Sequence, residues 1–102
     1  MESEYNPIIK KIIFAKKGTF IIFFIYECPY SRKALDLLKN NNLSYKGYDI
    51  NTINGGMEKL LEVLKKNAEL INFDIRHKTK PIIFLNGKYL GGFEELSKYL
   101  MS

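Results

Sequence analysis

The stretch Thr19-Phe20-Ile21-Ile22-Phe23-Phe24-Ile25-Tyr26-Glu27-Cys28-Pro29-Tyr30-Ser31 decides how this chain folds. From Thr19 to Tyr26 the residues are all β-branched or aromatic and no polar residue alternates with them, the pattern of a strand covered on both faces. Such a strand belongs at the centre of an α/β layer. Pro29 then marks the first position of a helix, where its missing N–H costs nothing. Ala34, Leu35, Leu37 and Leu38 give that helix an apolar face, which ends at Asn40-Asn41-Asn42. Cys28 therefore stands at a helix N-terminus directly after a buried strand. Unpaired backbone N–H groups and the positive end of the helix dipole favour thiolate there, the nucleophilic form of cysteine. Arg32 and Lys33 push the same way, while Glu27 opposes. The position points to a reactive cysteine rather than an inert packed one.

The flanking elements carry their own start and stop signals. Upstream, Asn6-Pro7 is a helix cap followed by proline, and Ile8, Ile9, Ile12 and Ile13 form one apolar face of a helix running to about Lys17. Lys10, Lys11, Lys16 and Lys17 lie off that face, and Gly18 supplies the stop. Downstream, Tyr45 to Ile50 reads as a second strand, and Asn54-Gly55-Gly56 opens a helix carrying Met57, Leu60, Leu61 and Leu64. The segment from Ala68 to Lys80 is irregular, with Leu70, Ile71 and Phe73 turned toward the core. Pro81 to Leu85 is a strand, Asn86-Gly87 a two-residue hairpin turn, and Lys88 to Leu90 its antiparallel partner. Gly91-Gly92 breaks the chain before a last helix, Phe93 to Met101, with Leu96, Tyr99 and Leu100 inward. The expected order is α-β-α-β-α-β-β-α, an α/β arrangement in a single domain spanning residues 1–102.

A chain of 102 residues with 46% hydrophobic side chains has one modest core, so any chemistry sits at its edge. Its lone cysteine excludes an internal disulfide and a cysteine-based zinc site. Sixteen Lys and Arg against eleven Asp and Glu leave a formal charge of +5. Only Arg32 and Arg76 are arginines, and the lysines fall in scattered pairs, so the charge reads as a solvated surface and not as a nucleic-acid interface. The start Met1-Glu2-Ser3-Glu4 lacks the basic and apolar regions of a secretory signal. The longest apolar run falls short of the ~20 residues that span a bilayer. No nucleic-acid or membrane partner is expected, and a cytoplasmic location is. His77 is the sole histidine, and no third residue or oxyanion hole joins it to Cys28 as a hydrolytic pair, so a surface position is expected.

Three motifs in order resemble the glutaredoxin family. Cys28-Pro29-Tyr30-Ser31 after an apolar strand is similar to that family's Cys-Pro-Tyr-Cys active site. Thr79-Lys80-Pro81 before Ile82-Ile83-Phe84-Leu85 resembles its Thr-Val-Pro segment, and Gly91-Gly92-Phe93-Glu94-Glu95-Leu96 its Gly-Gly-x-x-Asp-Leu ending. The resemblance covers Thr19 to Met101 and implies a thioredoxin-like (glutaredoxin) fold, a four-stranded mixed sheet flanked by helices. It further implies a glutathione-dependent thiol-disulfide oxidoreductase acting on glutathionylated proteins or small disulfides.

By that resemblance Cys28 is the nucleophile, Tyr30 an aromatic wall, and Thr79 and Lys80 a strip of backbone for the cysteinyl part of glutathione, beside a cis Pro81. Gly92, with the N–H groups of Phe93 and Glu94, would hold the γ-glutamyl carboxylate, and Glu94 or Glu95 the ammonium group. Lys78, Lys80 and Arg76 would attract the anionic ligand. Two positions depart from the family. Ile25 stands where many members carry Lys or Arg for the glycyl carboxylate, a role left to Lys78 or Lys66. Ser31 replaces the second cysteine, which implies a one-cysteine, monothiol cycle with glutathione as the second thiol. The alternative implied by the family is a [2Fe–2S] carrier in which Cys28 and glutathione from two subunits hold the cluster. A monomer is expected, and a dimer only if a cluster is bound.

Overall fold

The structure, a computed structural model, describes residues 5–102, so the acidic start Met1-Glu2-Ser3-Glu4 lies outside the described residues. The chain runs through α1 (Pro7–Ile13), β1 (Phe20–Phe24), α2 (Pro29–Asn40), β2 (Tyr45–Asp49), a 3₁₀ turn (Ile50–Thr52), α3 (Gly56–Lys66), α4 (Ala68–Ile71), β3 (Ile82–Leu85), β4 (Lys88–Gly91) and α5 (Phe93–Met101). The strands form one sheet in the order β2-β1-β3-β4. β1 runs parallel to β2 and antiparallel to β3, and β4 returns antiparallel to β3, so the sheet is mixed. Among the described residues no helix is long and apolar enough to cross a membrane.

β1 is buried along its whole length, and its two faces feed two cores. Successive side chains of a strand point to opposite faces. Ile21 and Phe23 accordingly join Ile9 and Ile12 of α1, Leu60 and Leu64 of α3, and Ile82 and Phe84 of β3. Phe20, Ile22 and Phe24 join Ala34 and Leu38 of α2 and Leu96 of α5 on the other side. Each such Ile, Leu or Phe side chain contributes roughly 1.5–3 kcal/mol on burial. The absence of polar alternation in the sequence is thus the signature of a strand with a helical layer on each face.

Several expected boundaries move, each for a local reason. α1 ends at Ile13 and not near Lys17, because its buried stripe of Ile9 and Ile12 would next point Lys16 inward. β1 stops at Phe24 because its ladder to β3 ends at the Phe23–Ile82 pair, and the preceding Pro81 has no N–H to extend it. The Ile25 N–H donates to the Ser31 hydroxyl oxygen instead, at 3.2 Å. Ile50 falls just past β2 and is buried from the 3₁₀ turn. In the segment expected to be irregular, Ala68–Ile71 forms one helical turn that buries Ile71, with Phe73 following, but leaves Leu70 exposed. Tyr99, expected inward, is also exposed and offers only a ring edge to Phe20, with centroids 6.1 Å apart.

The hairpin forms as its sequence dictates. Asn86 and Gly87 both have positive φ, 54° and 79°, the geometry a tight two-residue turn needs. The Asn86 Oδ1 accepts from the Gly18 N–H at 2.8 Å and so ties the hairpin to the turn before β1. Asn86→Ala is expected to lower unfolding free energy by about 2 kcal/mol in urea titration, from the lost hydrogen bond and the left-handed backbone. Asn86→Gly restores the backbone part only and should recover about half of that loss.

Candidate active site

The strand register brings Cys28 to the residues before β3. Because Phe23 pairs with Ile82, the chain leaving β1 passes alongside the chain entering β3. The Cys28 Sγ lies 3.6 Å from the Lys80 carbonyl oxygen, to which the thiol donates. The Lys80–Pro81 peptide is cis. Cys28 is the cap residue of α2, extended at φ −85° and ψ 120°, and is partly exposed. Burial pushes its thiol pKa up, but the backbone N–H groups of Ser31 and Tyr30, the Ser31 hydroxyl and the Lys80 charge outweigh it and hold the pKa below the ordinary thiol value. The site therefore stabilises a thiolate at a partly open position, as a nucleophile requires.

Beside Cys28 an open groove of about 580 Å³ runs from the start of α2 to the start of α5. One wall is aromatic: Tyr30 and Phe93 lie 6.2 Å apart, with the Lys33 ammonium 5.3 Å from the Tyr30 ring centre. Thr79 and Lys80, the residues before Pro81, also line it. At the far end, α5 presents the unpaired N–H groups of its first turn. Gly91, at φ 141°, makes this end possible, since a Cβ there would fall 2.5 Å from the Glu95 Cβ. Glu95 accepts the Gly92 N–H at 2.8 Å, and that contact holds its carboxyl below the usual carboxylate range against the opposing effect of burial.

The remaining lining comes from the segment between α4 and β3. Asp74 and Arg76 form an ion pair with a 3.1 Å Nε contact and a second hydrogen bond of 3.2 Å from Nη2. Arg76 thus brings its own counter-charge. His77 is half-buried, with one ring nitrogen against the Tyr89 hydroxyl and the other 2.9 Å from the Thr79 carbonyl oxygen. Among the described residues no three His, Cys, Asp or Glu side chains come together as a metal-binding group.

The glutaredoxin family model matches residues 12–90, the span that holds Cys28, Pro81 and the hairpin. The chain belongs to the glutaredoxin family. It is 50% identical over 95 residues to a probable glutaredoxin of Acanthamoeba polyphaga mimivirus, covering 93% of this chain and 90% of the relative. The solution structure of the dithiolic glutaredoxin 2-C-Grx1 from Trypanosoma brucei brucei superposes with a TM-score of 0.73 at 22% identity, covering 97% of this chain and 91% of that one. A buckwheat glutaredoxin–glutathione complex matches with a TM-score of 0.65 at 17% identity, covering 80% of this chain and 67% of that one. The fold is accordingly the thioredoxin-like fold of glutaredoxins, and the family's activity is thiol-disulfide oxidoreduction.

Tyr30, Thr79, Lys80, Gly92, Phe93, Glu94 and Glu95 line one groove in this glutaredoxin fold. Cys28 sits at its edge through Lys80, and the Pro81 carbonyl lies 3.4 Å from where a Gly92 Cβ would stand. Lys78 and Lys66 are not in the lining, and Ile25 packs against the core on the α1 side of the sheet. The cations at the groove are Lys80, Lys33 over the Tyr30 ring, and Arg76, which is paired with Asp74. His77 corrects the sequence expectation of a surface histidine; it and Tyr89 are lining residues that periodicity did not reveal. Iodoacetamide alkylation of Cys28 followed against pH is expected to reach half its maximal rate below the pKa of an ordinary free thiol. Ser31→Ala should shift that midpoint upward, because a thiolate-stabilising hydroxyl is lost.

Proposed function

We propose that this chain is a glutathione-dependent oxidoreductase that reduces glutathionyl mixed disulfides with one cysteine. The observation that carries the reading is the Cys28 thiol, 3.6 Å from the Lys80 carbonyl, at the edge of a groove that ends on the N-terminus of α5. That groove supplies backbone for a peptide and N–H groups for a carboxylate, the two features an extended γ-glutamyl tripeptide needs. The buckwheat protein solved with glutathione supports the choice of ligand.

The Cys28 thiolate attacks the glutathionyl sulfur of the substrate. The substrate disulfide breaks, and the released thiolate takes a proton from water. A second glutathione thiolate then attacks the Cys28–glutathione disulfide, leaving glutathione disulfide and regenerating Cys28. Ser31, fully buried three residues after Cys28, has no thiol with which to compete for this intermediate. In this reading the protein works as a monomer on glutathionylated proteins and small disulfides in the cytoplasm, where glutathione keeps thiols reduced.

The test is turnover of a glutathionylated peptide with glutathione as reductant. Wild type should turn over with saturation in the peptide, and Cys28→Ser should fall to the uncatalysed rate. Equal rates for the two proteins overturn the proposal. A visible spectrum taken after anaerobic purification with iron and glutathione reads the cluster-carrying alternative: a coloured, dimeric protein without turnover would replace the enzyme reading.

A further inference from the structure

We infer that His77 is a positioning residue for this site, whose imidazole clamps the backbone before Pro81 to the Tyr89 hydroxyl on β4. The inference deepens the proposed function and rests on it, since the clamped Thr79–Lys80 backbone is where the glutathione peptide would lie. A carbonyl oxygen only accepts, so the 2.9 Å contact to Thr79 requires the proton on His77 Nε2. In the neutral ring Nδ1 is then an acceptor, and the Tyr89 hydroxyl donates to it. Burial, with the Asp74 and Glu95 carboxylates, pushes the Tyr89 phenol up to about 12, so it remains a donor throughout the neutral range. Tyr89 is itself fixed, edge-on to Phe73 at 5.2 Å and packed at 6.0 Å on the fully buried Phe84. The His77 ring also lies beside the turn into α5, with its Cε1 3.5 Å from where a Gly92 Cβ would stand. His77 thus bonds to the peptide strip and stands beside the helix start.

What makes this clamp matter is the state of Cys28. Between His77 and Pro81 the backbone belongs to no helix or strand. Among the described residues its carbonyls have two donors, the Cys28 thiol on Lys80 and the His77 imidazole on Thr79. A thiolate has no proton to donate. When Cys28 ionises to react, the Lys80 carbonyl loses its donor and His77 remains as the polar tether of the segment.

The experiment is steady-state turnover of a glutathionylated peptide, with Cys28 alkylation measured in parallel. His77→Ala is expected to raise KM roughly five- to tenfold, the range of one lost hydrogen bond, with kcat within about twofold and the alkylation profile unchanged. His77→Gln, whose amide donates to the Thr79 carbonyl, should recover most of the loss. Tyr89→Phe keeps the ring packing and frees the imidazole, and should raise KM by a smaller factor; it carries the test if His77→Ala does not fold. An unchanged KM in His77→Ala, or in Tyr89→Phe where that variant stands in, overturns the inference. So does a loss in which kcat and alkylation fall together and glutamine gives no recovery. Absence of saturable turnover in wild type overturns the functional reading itself and is thereby distinguished from failure of the clamp.

Discussion

The antiparallel pairing of β1 with β3 is the constraint on which the site depends. With Phe23 opposite Ile82, the two chain segments beyond the ladder cannot avoid each other. One must turn into α2, and the other arrives through a proline that cannot extend the sheet. Cys28 and Lys80, 52 positions apart in sequence, are brought together for that reason, and the thiol–carbonyl hydrogen bond follows from it. The pairing is in turn locked by burial: β1 has helices on both faces, so a shift by one residue would exchange Ile21 and Phe23 for Phe20, Ile22 and Phe24 between two differently shaped cores.

The strands were legible because their chemistry is uniform over several residues. β1, the Asn86-Gly87 turn and the proline-started helices each announce themselves through residue types that only one backbone geometry suits well. The order of elements followed, apart from the 3₁₀ turn and α4. The single turn of α4, Ala68–Ile71, is too short to display a period, so Leu70 and Ile71 looked alike and only Ile71 is buried. The ends of elements were also hidden, since α1 stops where the core stops asking for apolar residues and not where a breaker stands.

The site was legible where motifs carried it and obscure where one side chain did. Cys28, Pro81 and the glycine pair lie at element boundaries and mark themselves. His77 lies in a segment without pattern, and nothing in its neighbours assigns it a partner. A signal existed on the other strand. Tyr89 pairs with Phe84 and so shares its inward face, and a tyrosine turned inward needs a partner for its hydroxyl. Arg76 misled in the opposite sense, because a charge counted as free in the sequence is neutralised by Asp74 two residues earlier.

The two departures from the family motif become one physical statement at the end of β1. Ile25 sends its side chain into the core on the α1 side and its N–H to Ser31, so the residue that elsewhere offers a cation here supplies packing and a hydrogen bond. That bond occupies the Ser31 oxygen as an acceptor and leaves the hydroxyl proton free to face Cys28. A hydroxyl, which forms no disulfide, thereby stabilises the Cys28 thiolate from three residues on. Ser31 thus acts on Cys28 through what its side chain lacks and what it holds: no sulfur to couple, and a proton to share with the thiolate.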